Sequence, residues 1–590
     1  MTPREVAAVL REISQLLQMK GENAFKVRAY DMGADAFETL PPDPGAPGGL
    51  NELVKAGRLS QLSGVGKAID QKVTELVTTG KLQYLEDLRR EFPHGALDLV
   101  RIPGLGPRKA VVLVRELDVT NLDDLEKAAR EGRVRGLKGF GEKTEQAILE
   151  GIAKLRVQRA ARKPLWETRP LAEQLLARVR AMPGVVRAEI AGSVRRYAET
   201  NGDVDIVAAV EGPVEPVMEA FAVAPGVEET LARGSTKCSV RLRDGLQADL
   251  RVVTPAQFPT ALHHFTGSKQ HHVKLRGIAR DKGLSISEYG LARLDGGETL
   301  VPESEEALYK MLDLQPVPPE LREDLGELEL ARKRELPELI EERDIKGFVH
   351  CHSTWSDGKA TLEEMVRAAG ALGAEFITIT DHTRAAHYAN GLDVDRLRRQ
   401  WDEIAEVQAK VPSVRILRGS EVDILEDGAL DWPADILDEL DVVICSVHQR
   451  FKLDEPRQTE RIRRALMHPK CAIWGHPTGR YLGDRDPMPA RWEELIALAA
   501  ERGVTIECNG TPHRLDFSAE LLRVARKYKA KISLSVDAHS TKELTNLHYA
   551  VGTARRGWTE KARVVNARSA DQFLAMLRDR NFGDTLRPPS

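Results

Sequence analysis

The sequence predicts a multidomain α/β protein. It should have a helical N-terminal region, a mixed-sheet domain with helical companions, and a C-terminal distorted TIM-like (β/α)7 barrel. Three observations carry this. A Gly-x-Gly pattern occurs three times before residue 150, each time at the start of a helical stretch. From about Pro164 the texture becomes alternating helix and strand. After residue 344, seven apolar strand-like runs recur with helical stretches between them, and several end on a histidine or carboxylate. At ~100–200 residues per domain, 590 residues suggest three or four domains.

The composition is that of a globular protein, 30% charged and 42% hydrophobic. No apolar run approaches a membrane span of ~20 residues, and the start MTPREVAAVLREI is charged, unlike a secretory signal. Cys238, Cys351, Cys445, Cys471 and Cys508 include no C-x-x-C pair and are odd in number, so reduced thiols in the cytoplasm are expected. A net charge of −4 excludes a uniformly basic coat. Basic character is local instead: Arg133 to Lys163 holds nine Lys/Arg against three Glu, enough for a phosphate-tracking face.

The repeated pattern reads LSGVGKA, IPGLGPRKA and LKGFGEKT. Glycines let the backbone turn sharply, and the helix that follows offers free N–H groups, a combination that cradles phosphate. One copy would be only a turn. Three at spacings near 40 residues look like helix-hairpin-helix elements that grip a nucleic-acid backbone through Gly64, Gly66, Gly104, Gly106, Gly139 and Gly141. Lys67 and Lys72 lie beside the first, where a lysine could form a Schiff base with an abasic sugar or simply attract phosphate.

The next informative stretch is Gly192 to Asp205, GSVRRYAETNGDVD. The run VDIVAAV reads as a strand, so Asp203 and Asp205 at i and i+2 project to one face. An isolated D-x-D is usually a solvated strand edge. Here LQADLRVV places a third carboxylate, Asp249, inside another strand, where a charge needs a reason. Three carboxylates around two Mg²⁺ ions are the equipment of nucleotidyl transfer, and Ser193 and Arg196 precede them as a grip for β- and γ-phosphates. Residues 316 to 343 are rich in proline and glutamate and read as a solvated linker.

Ten of the fifteen histidines follow residue 344. The strand-like runs supply His350, His352, Asp357, His382, Glu421, His448, His476, Asp537 and His539, a set that suits about three Mn²⁺ or Zn²⁺ ions. Arg480 is a candidate phosphate contact, while His387, His468, His513 and His548 fall outside the pattern as surface or structural residues.

GSVRR, GDVDIV, ADLRVV and ALHHFTGSKQHHVKLR resemble the palm and thumb of family X DNA polymerases, the class of polymerase beta, and the hairpins resemble that family's lyase and fingers regions. The histidine-rich third resembles the polymerase-and-histidinol-phosphatase (PHP) domain. The resemblance implies that Asp203, Asp205 and Asp249 are catalytic metal ligands, that Ser193 and Arg196 bind triphosphate, and that Gly192 and Gly202 belong to the same nucleotide site. It implies that His264, Phe265 and Gly267 line the sugar pocket, that Arg276 senses the template side, and that Lys72 occupies the Schiff-base position. Departures are His264 in a sugar gate that is Tyr-Phe in the animal enzymes, His272 where an asparagine is usual, and YDMGADAF where basic residues are usual.

The implied domains are a helical 8-kDa-like domain at 1–92, fingers at 93–163, palm at 164–255, thumb at 256–318, linker at 319–343 and PHP domain at 344–582. The implied function is filling of short gaps on gapped or primer-template DNA with dNTPs, joined to a 3′–5′ exonuclease that extends to abasic-site cleavage or 3′-phosphate removal. A monomer in the cytoplasm, associated with the nucleoid and not with membrane, is expected. Two other readings compete. A template-independent nucleotidyltransferase fused to a histidinol-phosphate-like phosphatase would not need three hairpins. A non-catalytic end-bridging scaffold would not need two sets of clustered carboxylates.

Overall fold

In the computed structural model, helices of the N-terminal region form because apolar residues recur at helical spacing. Pro3–Lys20 turns Val6, Leu10, Ile13 and Leu17 inward, where they meet Val27, Tyr30 and Phe37 of Ala24–Glu38. The structure describes residues 3–579 other than 39, 41–48, 63, 93–98, 101, 103, 104, 118, 161 and 298. The described chain forms two compact units, one of residues 1–162 with 328–330, the other of the remainder. No helix among the described residues is long and apolar enough to cross a membrane.

The N-terminal unit has two small cores. One gathers the first helices with Ile69, Val73 and Leu76 of Lys67–Thr79; the second joins Leu113, Leu125, Phe140 and Ile148. Gly66 is the N-cap of Lys67–Thr79, Gly106 immediately precedes Pro107–Leu117, and Gly141 immediately precedes Glu142–Ala160. All three carbonyls accept from the N–H three residues on, at 2.9 Å. Gly64 and Gly139 adopt φ of 91° and 88°, the left-handed region that glycine tolerates. Gly104 lies outside the described residues.

The second unit starts with a five-stranded sheet in the order Val185–Ile190, Asp203–Val210, Gln247–Val253, Lys237–Leu242, Val227–Arg233. Only Asp203–Val210 and Gln247–Val253 run parallel, with Asp205 opposite Asp249. Alternation along the strand divides the faces. Val204, Ile206 and Ala208 pack with Leu175, Val179 and Phe221. Val207 and Ala209 pack with Phe258, Ala261 and Leu262 on the other side. Asp203 and Asp205 have the parity of Val207, so they face the helix Phe258–Thr266 that carries His264 and Phe265. The helix that leads into this sheet is Leu165–Arg180, with Pro170 inside it.

The C-terminal third is a seven-stranded parallel sheet in sequential order, Gly347–Phe348 through Ile532–Ser535. A parallel bridge between Cys351 and Ala538 brings its two edges together, with His352 N donating to Ala538 O at 2.8 Å. Phe573, Leu574 and Leu577 of Ala570–Arg578 pack with Phe376, Val442 and Ala472 at the strand starts. That plugs one end and leaves the strand C-termini to the functional side chains.

Residues 316–343 are not the solvated linker their composition suggests. Leu321, Arg322 and Glu327 are buried, and each buried charge has found a partner. Arg322 pairs with Glu305 at 2.7 Å, Glu327 with His271 at 2.6 Å, and Glu320 with Arg555 at 2.8 Å. Buried ions need such pairing, and composition alone does not reveal it.

Candidate active sites in the palm and the barrel

In the palm, the three aspartates converge as the strand pattern predicts. Asp249 is held by Lys237 Nζ at 2.6 Å and Gln247 Nε2 at 3.0 Å. Burial first, then Asp203 and Asp249, push the Asp205 carboxyl up to about 7. Crowded carboxylates of this kind are stabilised by cations, so the donor set fits divalent ions with oxygen ligands. Gly192 makes the approach feasible. Its φ is 60°, and a Cβ there would stand 2.1 Å from Asp205 Oδ2. Gly202 sits directly before Asp203.

Ser193 Oγ donates to the buried Asn201 Oδ1 at 2.7 Å. The Arg196 guanidinium donates from Nε to Glu323 at 2.9 Å and from Nη1 to Thr266 O at 2.5 Å. Gly267, at φ 72°, lies against it: a Cβ there would meet Arg196 Nη1 at 3.1 Å. His264 is half-buried, with its ring centre 5.0 Å from Phe265 and 4.8 Å from His272, and burial lowers its basicity. Phe265 carries the Arg251 guanidinium over its ring at 4.7 Å. Arg276 is exposed, two turns along Lys269–Asp281 from the pocket-facing loop. In the N-terminal unit, Lys72 Nζ lies 4.6 Å from the centre of the Tyr84 ring.

Beneath the pocket runs a buried hydrogen-bonded chain that the sequence did not reveal. His263 Nε2 lies 2.9 Å from Tyr309 Oη, which lies 3.0 Å from His271 Nε2; His271 Nδ1 lies 2.6 Å from Glu327. Burial lowers the basicity of both histidines, so neutral rings suit the chain: His263 donates to Tyr309, Tyr309 to His271, and His271 to Glu327.

In the barrel, all nine expected residues meet. Their ligand atoms form three overlapping groups, each within 4.8 Å: His352, Asp357, His382 and His539; His350, His352, Glu421 and Asp537; and His382, Glu421 and His448. His476 Nε2 joins them at 2.7 Å from Glu421. Six of the nine are essentially inaccessible to solvent, yet His350 Nε2, both His352 ring nitrogens, His382 Nδ1, Glu421 Oε2 and Asp537 Oδ1 lack a well-aligned hydrogen bond. Buried polar atoms that converge without hydrogen-bond partners are a donor set that fits metal cations. Burial opposes charge on His448 and His539, yet Glu421 and Asp423 raise the first to about 10, and Asp357 and Asp537 raise the second to about 9. The field that attracts these protons equally attracts metal cations, and the two compete for the same lone pairs.

Three supporting residues went unpredicted. Glu507, fully buried, accepts from His350 Nδ1 at 2.7 Å, from Ser535 Oγ and from the His476 backbone N–H. Asp423 lies 3.2 Å from His448 Nδ1. Asp381 accepts from Ser353 Oγ at 2.6 Å and Gln400 Nε2 at 2.6 Å. Glu507 and Asp423, behind His350 and His448, fix the tautomer that points the other nitrogen inward, while Asp381 ties down the loop after His352. Asp423 ends its strand, Asp381 follows one by two residues and Glu507 lies within one, so the strand runs were the available signal.

Arg480 is corrected. It does not face the metal cluster; it donates to Glu199 of the palm at 2.7 Å and to the carbonyls of Arg514 and Leu515. This contact belongs to an extensive seam. Tyr197 of the palm lies where a side chain on Gly552 would be, 2.0 Å from its ideal Cβ. Leu515 and Tyr549 of the barrel complete the palm's apolar core. His513, 4.2 Å from Trp166 between ring centres, is structural here. His387 is exposed, His548 is half-buried against Tyr549, and His468 Nδ1 accepts from Lys470 N at 3.2 Å.

Together, a sheet with three converging aspartates and a parallel barrel with a histidine–carboxylate cluster define a nucleotidyltransferase joined to a metal-binding phosphoesterase. Family models agree: a helix-hairpin-helix domain matches residues 1–82, a SAM-like helix-hairpin-helix tandem 96–154, a DNA polymerase beta thumb 261–323 and a PHP domain 349–511. The chain is 37% identical over 580 residues to the DNA polymerase/3'-5' exonuclease PolX of Bacillus subtilis, an alignment covering 98% of this chain and 100% of that one. It belongs to the PolX family. About a third of the chain is also similar to a probable phosphatase of Thermoanaerobacter sp., 34% identical over 209 residues, 32% of this chain and 77% of the relative. A probable phosphatase of Caldicellulosiruptor saccharolyticus is 28% identical over 242 residues, 39% of this chain and 94% of the relative.

Proposed function

We propose that the protein is a DNA-directed DNA polymerase that fills short gaps in DNA repair and trims 3′ ends with its PHP centre. The observation that carries the first half is the parallel pairing that sets Asp205 opposite Asp249, with Asp203 on the same face. The observation that carries the second is the convergence of eight candidate ligands in three overlapping groups at the barrel's strand ends, with His476 joining them through Glu421. Asp203, Asp205 and Asp249 would hold two Mg²⁺ ions, and the barrel set about three Mn²⁺ or Zn²⁺ ions. The chemistry that bound ions supply at either centre is neutralisation of phosphate charge and activation of the attacking oxygen.

The rest is work for the chain's own groups. Ser193 and Arg196 orient the triphosphate of a dNTP, His264, Phe265 and Gly267 bound its sugar, and Arg276 meets the template side. The hairpin glycines, described at Gly64, Gly66, Gly106, Gly139 and Gly141, let helix N-termini approach the phosphates of gapped or primer-template DNA. Glu507 and Asp423 hold His350 and His448 in the ligating tautomer. The likeness of the barrel to probable phosphatases favours 3′-phosphate removal as a second reaction of the same centre, alongside cleavage at abasic sites. A monomer in the cytoplasm, associated with the nucleoid, fits this work.

The test is one gapped DNA, with and without dNTPs, in Mg²⁺ and then Mn²⁺. Asp203→Ala and Asp205→Ala should abolish extension and leave degradation. The double variant His350→Ala, His352→Ala should do the reverse. Extension by the aspartate variants at the wild-type rate would refute the palm assignment.

A further inference from the structure

One large aromatic side chain stands out at the barrel's functional end. Tyr388 is 67% exposed, although its ring centre lies only 6.2 Å from that of His382 and 6.3 Å from that of His448. Exposed tyrosines on mobile loops are common, but this one is fixed. It occupies a short 3₁₀ turn, His387–Ala389, closed by Asn390 at φ 54°. Arg396 donates to the Asn390 carbonyl at 2.8 Å and to the Trp355 carbonyl, and Gln449 Nε2 donates to the Ala385 carbonyl at 3.0 Å. A loop anchored on both sides that leaves its ring bare beside buried ligands is pre-organised for something flat.

The charges around it say what. The two histidines beside the ring, His382 and His448, each meet Glu421 at 3.1 Å, so Tyr388 borders the anionic ligand set. Arg514 Nε lies 3.7 Å from Asp537 Oδ2, so a cation stands at the edge of the ligand cluster, within reach of the same mouth. A guanidinium and an aromatic face at the ligand cluster suit a phosphate that carries a base. A bare phosphate ester would gain nothing from the ring.

We propose that Tyr388 is the specificity-determining residue of the barrel centre: its ring stacks on the terminal base of a DNA strand whose phosphoester lies at His382, Glu421 and His448. The inference rests on the exonuclease reading above and deepens it. Base–aromatic stacking is tolerant of sequence, because every base offers a π-face, so the centre would prefer base-bearing ends without choosing among bases.

The experiment uses the full-length protein in Mn²⁺ and two single-stranded oligonucleotides, identical except that one ends in an abasic tetrahydrofuran residue. Tyr388→Ala should lose on the order of tenfold in kcat/KM on the normal end, mostly through KM, and little on the abasic end. Tyr388→Phe should keep the wild-type value, since stacking needs the ring and not the hydroxyl. Metal content and melting temperature should be unchanged in both. An equal loss on the two ends, no loss on either, or a Tyr388→Phe variant as impaired as Tyr388→Ala overturns the proposal while leaving the exonuclease reading intact. A wild-type protein that degrades neither oligonucleotide overturns both.

Discussion

Glu323 accepts a hydrogen bond from Arg196 Nε at 2.9 Å, and Arg556 donates to the same carboxylate at 2.6 Å and to the Arg196 carbonyl at 3.1 Å. Burial opposes charge on Glu323, but the two guanidiniums hold its pKa below the usual carboxylate range. Together with Thr266 O, it fixes the plane of the arginine proposed to grip triphosphate. Glu323→Ala should therefore raise the dNTP KM about fivefold to tenfold, roughly 1–1.4 kcal/mol, with kcat and 3′ degradation nearly unchanged. Steady-state extension kinetics check this.

Gly192→Ala should abolish extension. The new methyl would fall 2.1 Å from Asp205 Oδ2, in a left-handed backbone that alanine disfavours, so the carboxylate must move. Degradation in Mn²⁺ should remain at the wild-type rate, as a primer-extension assay run beside a 3′-degradation assay will show.

Glu507→Gln should weaken metal binding in the barrel by ~10–100-fold, because the carboxylate behind His350 is lost while its shape is kept. Elemental analysis after dialysis against a weak chelator measures this directly. Extension in Mg²⁺ should not change.

The thumb should lose stability in mild acid. Burial lowers the pKa of His263, His271 and His272, the last to about 3. A histidine whose folded pKa lies below its unfolded value of about 6.5 binds more protons when unfolded, so stability rises with pH across that interval and is lost as pH falls from about 6.5 toward 3. Urea midpoints at pH 7.5 and 5.5 should differ less in His272→Gln than in wild type. An equal difference would refute the assignment.

Gly552→Ala should destabilise the second unit by about 1–3 kcal/mol through overpacking against Tyr197, and Tyr197→Ala should relieve the clash at the cost of a cavity. A double-mutant cycle by calorimetry should therefore be non-additive.

Much of both sites was legible in the sequence, for a reason that also explains the gaps. Strand alternation places Asp203 and Asp205 on one face and His350 and His352 at one strand end, so local spacing sufficed. Glu507 and Asp423 sat within recognised runs, but nothing in a strand pattern separates a ligand from the carboxylate that orients it. Arg480 misled because its partner, Glu199, is 281 residues away. The charges of residues 316–343 misled likewise, since their partners Glu305, His271 and Arg555 lie elsewhere in the chain.

Leu515 and Tyr549, which complete the palm's apolar core, are encoded more than 250 residues after its last strand, Gln247–Val253. The two enzymes are thus not interchangeable cassettes. A gene severed between residues 316 and 343 would yield a polymerase half that exposes apolar surface where those two side chains belong, and aggregation or misfolding of that half would follow. For this chain, point substitution should separate polymerase from nuclease where truncation should not.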